Sequence, residues 1–283
     1  MDTAWNIRPY QHELLKIFRV FEGICRKYGL RYYADVGGTA IGAVRHGGFV
    51  PWDDDMDVNM PREDYNRFTQ VVRDELPSNL AFRRGGETAD APIHFSKIVN
   101  VDSGIVEGMR KVTGLDVPPP FIDIFALDGV PDQVSKMTGW WRERMLLRLC
   151  QLYRYPASAY ASGGMWRPKI VLARILGFFI SLFVPRTGSN EEMMMLMDKC
   201  AAKYPFDEAK TVVEPAFYKG RVSRLMPRSY YEPAKEMPFE DGTILVPAKV
   251  ECLLELTFGD YMEPPPPEHR IPEHTMRRAY NHV

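Results

Sequence analysis

Four aspartates crowd into five positions near the middle of the first hundred residues: Asp53, Asp54, Asp55 and Asp57. Like charges at this spacing resist joint ionisation. A chain tolerates them where a cation lies among the carboxylates or where all of them are solvated. A glycine-rich segment, residues 37–48, comes directly before the cluster, and this combination indicates a site for a cation together with an anionic ligand.

The spacing within the cluster separates its members. Residues 55–60 are typical of a strand, and side chains alternate along a strand, so Asp55 and Asp57 are predicted to share one face. Asp123 lies within a second strand pattern, 121–127, between large apolar residues, where a carboxylate needs a partner. Magnesium prefers carboxylate oxygens together with substrate phosphates. The three carboxylates therefore predict a metal site that neutralises a nucleoside diphosphate group and activates a hydroxyl.

The glycines are interpreted as a phosphate cradle. Gly37 and Gly38 form a sharp turn between a predicted strand, 31–36, and a short helix that begins at Thr39. Glycine lets the backbone approach a phosphate closely, and the N–H groups at a helix start favour an anion. These residues are therefore candidates for substrate binding.

Four further side chains are candidates with open alternatives. Arg45 and His46 follow the short helix and are suited to contact a diphosphate, although Arg45 is equally suited to pair with an aspartate. Lys97, on a predicted strand, reaches a phosphate or is an ordinary surface lysine. Trp52 stacks on a ring of the substrate or walls the acidic loop.

Two non-catalytic readings of the acidic cluster remain as alternatives. The aspartates form a solvated turn, or they hold a calcium ion that only stabilises the fold. The EF-hand pattern is absent, because its glycine and distal glutamate are missing. The apolar residues Val58 and Met60 make the segment a strand rather than a turn, which favours the catalytic reading.

The elements around these residues predict an α+β fold, with a mixed sheet flanked by helices. Apolar residues at helical spacing predict a helix over 7–28 that stops at Gly29. Residues 80–127 are predicted to be rich in strands. Long helical patterns fill 132–204, interpreted as a helical insertion, and a strand and a helix that ends near Gly259 follow.

Composition limits the class of protein. The formal net charge of the 283 residues is -1, which argues against a nucleic-acid partner. The four separated cysteines form no C-x-x-C pair and indicate buried, reduced thiols. With no signal-peptide pattern and no apolar run of membrane-spanning length, a cytoplasmic location is expected.

Residues 167–186 raise the question of peripheral membrane contact. Apolar residues cover most of this predicted helix, and Lys169, Arg174 and Arg186 interrupt or flank it. An interfacial helix on an anionic inner leaflet has this composition. A helix packed in the core or in a dimer interface is the alternative, and it is favoured by the sequence alone.

The segment GGTAIGAVRHGGFVPWDDDMDVNMPREDY closely resembles the signature of the LicD family, which includes fukutin-related glycan-modifying transferases. FIDIFALDG, residues 121–129, resembles that family's second motif. The run 242–261, the following prolines and His274 resemble its C-terminal motif. Ala126 and the pair Ala40 and Ile41 depart from the family pattern, but neither departure involves a carboxylate.

The resemblance implies a nucleotidyltransferase-like fold and a metal-dependent transfer of a phospho-alcohol. Such enzymes move phosphocholine or a similar group from a CDP-alcohol to a hydroxyl of a glycan, lipid-linked glycan or teichoic-acid-type acceptor, and release CMP. By the family pattern Asp55, Asp57 and Asp123 are the catalytic residues. Asp55 and Asp57 hold magnesium, or manganese as the alternative ion, with Asp53 and Asp54 as further ligands or support. Asp123 is a metal ligand or the general base, and His274 joins the substrate site.

The expected organisation is a catalytic core at 1–131, the helical insertion at 132–204, and a C-terminal part, 205–283, that completes the core. Two other functions are kept open. A nucleotidyltransferase would release pyrophosphate instead of CMP. A non-catalytic protein that binds glycan or membrane would use the aspartates to hold a structural metal.

Overall fold

The computed structural model describes residues 6–85, 95–113, 117–155, 168–214 and 225–272. The chain has an α+β fold, as the sequence predicted, with a mixed sheet and flanking helices. It divides into two compact units. The first comprises residues 1–82, 97–125 and 227–283, and the second comprises residues 83–96 and 126–226.

The elements of the described residues follow one another in this order: α1 (Arg8–Tyr28), β1 (Tyr33–Ala34), α2 (Gly38–Ile41), a turn of π-helix (Gly42–His46), β2 (Asp57–Pro61), α3 (Arg62–Glu75), β3 (Leu80–Arg83), β4 (Ser96–Asn100), α4 (Ser103–Thr113), β5 (Phe121–Val130), α5 (Val134–Arg154), α6 (Pro168–Ser181), α7 (Asn190–Ala201), β6 (Thr211–Val213), β7 (Met226–Pro227), β8 (Lys235–Phe239), β9 (Gly242–Val246) and α8 (Val250–Phe258).

The sheet of the first unit has the strand order β1-β2-β5-β4-β3. β1 and β2 are antiparallel, with Tyr33 opposite Asn59 and Ala34 opposite Val58. This order makes β2 and β5 neighbours and places β4 on the other side of β5. Residues far apart in sequence at the ends of these three strands are therefore brought together.

Helix α1 holds the first unit together through its aromatic face. Its apolar stripe is fully buried, and Phe21 packs edge-on against Tyr32 and Phe68 at ring separations of 5.3 and 5.2 Å. The helix ends at Gly29, which adopts a left-handed conformation (φ 61°), as the sequence predicted. The close packing of α1 fixes the surface on which the acidic loop lies.

Three sequence-based predictions were wrong in detail. Residues 80–127 were expected to be rich in strands, but residues 103–113 form helix α4. The apolar residues within 103–113 recur at helical spacing, which explains the helix. Strand β2 begins at Asp57, so Asp55 lies before it rather than within it. Cys252 is exposed, whereas Cys25, Cys150 and Cys200 are the buried free thiols that were expected.

The second unit contains α5, α6 and α7, and β6 pairs with the C-terminal half of β5, with Gly129 opposite Val212. Its core includes Trp140, Leu147 and Met193. Helices α5 and α6 approach closely at Gly177, where a side-chain Cβ would overlap the carbonyl of Leu149. Among the described residues, no helix is long and apolar enough to cross a membrane.

The contact at Gly177 predicts a large effect of a single methyl group. We expect Gly177→Ala to lower the free energy of unfolding by about 1–3 kcal/mol, because the methyl group would separate α5 from α6. Gly139→Ala on α5 is the matched control, since a Cβ there meets nothing within 4 Å. It should be neutral or stabilising by up to about 1 kcal/mol. Urea unfolding of both variants measures the difference, and equal midpoints would contradict the packing described.

Candidate active site

Asp57 occupies the centre of the site, at the first position of β2. Its backbone N–H donates to Thr39 Oγ1 at 2.9 Å, and its carbonyl accepts from the N–H of Asp35 at 3.0 Å. One carboxylate oxygen, Oδ1, is buried and has no hydrogen-bond partner among the described residues. A buried carboxylate oxygen in this condition calls for a positive ligand.

Other carboxylates surround Asp57. Burial, followed by the charges of Asp55, Asp123, Asp35 and Asp53, holds the pKa of Asp57 well above its ordinary value. Asp57 thus lies within electrostatic range of the other three residues predicted as metal ligands, Asp53, Asp55 and Asp123.

Asp54 is a buried neighbour of the cluster. Its charge, with those of Asp55 and Asp123, raises the pKa of Tyr10, for which burial is the main cause. Tyr10 belongs to α1 and is completely buried. Asp54, like Asp55 and Asp123, therefore lies within electrostatic range of the helix that supports the loop.

Asp123 pairs with Lys97 across neighbouring strands. Lys97 Nζ lies 2.5 Å from Asp123 Oδ1 and 3.7 Å from the centre of the Phe121 ring. Both charged side chains are largely buried. Lys97 was predicted to reach a phosphate or to lie on the surface. It instead forms an ion pair with Asp123 and places a positive charge beside the cluster.

The two glycines make room for the carboxylates. A Cβ at Gly38 would overlap the carboxylate of Asp53, and a Cβ at Gly37 would come within 3.0 Å of Asp35 Oδ2. Gln11 of α1 donates to the carbonyls of Val50 and Asp53 at 3.0 and 2.9 Å, which anchors the acidic loop. The glycines are thus required by the cluster itself, and their contact with a phosphate stays a prediction.

Thr39 has a structural contact in this arrangement. Its hydroxyl accepts the N–H of Asp57, and the side chain is buried. This bond ties the start of the glycine helix to the start of β2. A direct contact between Thr39 and a substrate also stays a prediction.

Two arginine side chains, Arg45 and Arg270, lie beside Trp52. The guanidinium of Arg45 is 6.0 Å and that of Arg270 is 5.3 Å from the indole ring. Arg45 also donates to His46 Nε2 and to the carbonyl of Tyr261, and within the described residues it forms no ion pair with an aspartate. Burial and the charge of Arg270 lower the pKa of Arg45. Two neighbouring cations of this kind favour an anionic ligand.

The sequence alone did not single out Asp35 or Arg270. Asp35 ends the strand pattern just before the glycine pair, and the argument that selected Asp123, a carboxylate in a buried strand, applied to it equally. Arg270 lies on a segment without periodicity, and only the fold places it beside Trp52. His274, also a predicted substrate ligand, lies outside the described residues.

The fit of a metal ion follows from these contacts. Among the described residues, no three Asp, Glu, His or Cys side chains are grouped closely enough to enclose an ion by themselves. Magnesium commonly binds through one or two carboxylates and completes its coordination with waters and substrate phosphates. The buried Asp57 oxygen, with Asp55 beside it, suits that mode of binding.

Comparison with known proteins supports the resemblance seen in the motifs. Residues 29–145 match the family model described as LicD/FKTN/FKRP, nucleotidyltransferase domain. The chain carries a LicD-family domain. The matched residues include all of α2, β2 and β5, and with them every carboxylate of the cluster.

Two curated relatives are transferases. Lipopolysaccharide cholinephosphotransferase LicD of Haemophilus influenzae is 28% identical over 279 residues, which cover 97% of this chain and 98% of the relative. Human ribitol 5-phosphate transferase FKRP is 38% identical over 70 residues, or 25% of this chain and 14% of that protein. The LicD match thus includes the helices of the second unit, whereas the FKRP match is restricted to one segment.

The crowding around Asp57 predicts an unusual gain of stability on removal of its charge. The folded-state pKa of Asp57 lies above its unfolded value, so the ionised carboxylate opposes folding at neutral pH. In EDTA at pH 7.5, Asp57→Asn should therefore raise Tm, by about 2–4 °C for each kcal/mol. The gain should shrink as the pH falls through the raised pKa, since wild-type Asp57 is then protonated.

Asp74→Asn, an exposed aspartate of α3, is the control and should leave Tm nearly unchanged. Thermal unfolding followed by circular dichroism at several pH values makes the measurement. A Tm that falls on Asp57→Asn by the same amount at every pH would contradict the electrostatic account of the cluster.

Proposed function

We propose that this protein transfers a phospho-alcohol, phosphocholine or a similar group, from a CDP-alcohol to a hydroxyl of a glycan or lipid-linked glycan acceptor, with release of CMP. The observation that carries the proposal is the alignment with a cholinephosphotransferase along nearly the whole chain. The carboxylate cluster adds chemical support, because the buried Asp57 oxygen that has no hydrogen-bond partner among the described residues suits a cation bound together with a diphosphate. We assign the roles of the site residues in the reaction on this basis.

In this proposal Asp55 and Asp57 hold magnesium, with Asp53 and Asp35 beside them. When bound, the ion would screen the charge of the diphosphate and of the departing CMP. Arg45, His46 and Arg270 face the anionic part of the donor, and Trp52 lies beside the two arginines. Charge-assisted hydrogen bonds from the guanidinium groups orient the phosphates.

The proposed reaction forms one oxygen–phosphorus bond and breaks another. The acceptor hydroxyl oxygen attacks the β-phosphorus of the donor, a new oxygen–phosphorus bond forms, and the bond to the bridging oxygen breaks. CMP leaves with that oxygen and its electron pair, and Asp123 accepts the hydroxyl proton. Lys97, 2.5 Å from Asp123 Oδ1, holds this carboxylate in place on β5.

A donor panel tests the reaction class. Purified protein with magnesium and a glycan acceptor is incubated with CDP-choline, CDP-ribitol, CDP-glycerol or CDP-ethanolamine, and CMP is measured. One donor should release CMP in an acceptor-dependent manner. A parallel incubation with CTP and phosphocholine tests the alternative that the matched domain description suggests, a nucleotidyltransferase. Pyrophosphate as the product, or no turnover of any donor with stabilisation by calcium, would overturn the proposal.

The role of Asp123 predicts a specific loss. Asp123→Asn keeps the size of the side chain but cannot accept the proton, so kcat should fall by about 10²–10⁴-fold. The protein should stay folded, as judged by circular dichroism, and should still bind the donor in a thermal-shift assay. Asp132→Asn, an exposed aspartate of the second unit, is the control and should retain wild-type activity. Substantial activity in Asp123→Asn would exclude this residue as the base.

A further inference from the structure

The second unit exposes an apolar surface that its own core does not use. Among the described residues of α6, Gly177 is the only buried one. Apart from Phe178, whose ring packs against Tyr153, the exposed large apolar side chains of α6 and the turn after it are Leu172, Ile175, Leu176, Phe179, Leu182 and Phe183. We define these six residues as the α6 surface.

The alternative of a core helix is not supported for this part of the chain. Leu182 is 66% exposed and Phe183 is 88% exposed, values that are high for large apolar residues. Contiguous exposed apolar patches of this kind mark interaction sites.

The charges around the α6 surface identify its partner. Residues 168–186 contain three cations, Lys169, Arg174 and Arg186, and no acidic residue, in a chain whose formal net charge is -1. An apolar face with flanking cations suits an anionic bilayer, where apolar side chains enter the acyl boundary and cations meet lipid phosphates.

Several polar backbone groups in the segment after α6 form hydrogen bonds within the protein. Arg154 donates hydrogen bonds to the carbonyls of Ser181, Val184 and Pro185 at 2.8, 2.8 and 2.6 Å. The N–H groups of Leu182 and Phe183 donate to carbonyls of the preceding turn at 3.3 and 2.9 Å. Unsatisfied backbone groups oppose entry into lipid. Here several of them are satisfied internally while the Leu182 and Phe183 side chains point outward.

We infer that the α6 surface binds the face of an anionic lipid bilayer, with α6 lying in the plane of the interface. The helix is 14 residues long, or about 21 Å, which is shorter than the hydrocarbon thickness of about 30 Å. The protein would therefore attach to one leaflet without crossing it. This inference concerns binding alone and holds whether or not the proposed transfer reaction is correct.

Vesicle flotation tests the inference with the full chain. Wild-type protein should float with phosphatidylglycerol-containing vesicles and much less with pure phosphatidylcholine. The Phe179→Asp/Phe183→Asp variant should lose at least tenfold in binding. Neutralisation of Lys169 and Arg186 to Gln should weaken anionic binding by about fivefold per cation. Absence of wild-type binding to anionic vesicles would overturn the inference.

Two leucines of equal exposure provide a matched control. Leu182 and Leu256 are both 66% exposed, but Leu256 belongs to α8 of the first unit. Leu182→Asp should weaken vesicle binding, whereas Leu256→Asp should not, and both should melt like wild type because both sites are exposed. Equal losses in the two variants would contradict the assignment to the α6 surface.

Sedimentation equilibrium tests whether a second copy of the chain, rather than lipid, covers the α6 surface. A dimer that Leu182→Asp dissociates, combined with no vesicle binding, would replace the lipid inference with self-association. A monomer that binds anionic vesicles supports it.

Discussion

The site depends on one electrostatic constraint, the buried charge of Asp57 among four other carboxylates. Its Oδ1 atom has no hydrogen-bond partner within the described residues, and its pKa is raised by burial and by its neighbours. Such an arrangement is unfavourable for the isolated fold. In the proposed reaction, a cation and its phosphate ligands would make it favourable. We interpret the cost as a consequence of function, because functional sites concentrate perturbed carboxylates of this kind.

The fold around the cluster is arranged to hold the charges at close range. Neighbouring strands β2 and β5 bring Asp57 and Asp123 together, although 65 positions separate them in sequence. The glycine pair removes the side chains that would displace Asp35 and Asp53. Gln11 ties the loop to α1, and Thr39 ties α2 to β2. Contacts with the backbone thus hold the loop and the strand that carry these carboxylates.

Much of this site was accessible from the sequence, because strand patterns and residue types are local properties. The helix predicted over 7–28, its end at Gly29 and the strands at the positions of β2 and β5 are confirmed. The role of Asp53, Asp55, Asp57 and Asp123 as metal ligands stays a prediction. The partner of Lys97 was not, since it depends on which strands are neighbours. Arg270 was missed because its position is set by tertiary structure alone. Helix α4 was missed because short apolar runs suit either a strand or a helix.

The central claim is that the carboxylate cluster and a donor phosphate share one cation. Thermal shifts with magnesium alone, CDP-choline alone, and both together test it most directly, with the other CDP-alcohols as substitutes for the donor. The account predicts that the combined stabilisation exceeds the sum of the separate ones in wild type, and that this excess is absent in Asp57→Asn. Full stabilisation by a metal ion without any donor, or an unchanged excess in Asp57→Asn, would contradict it.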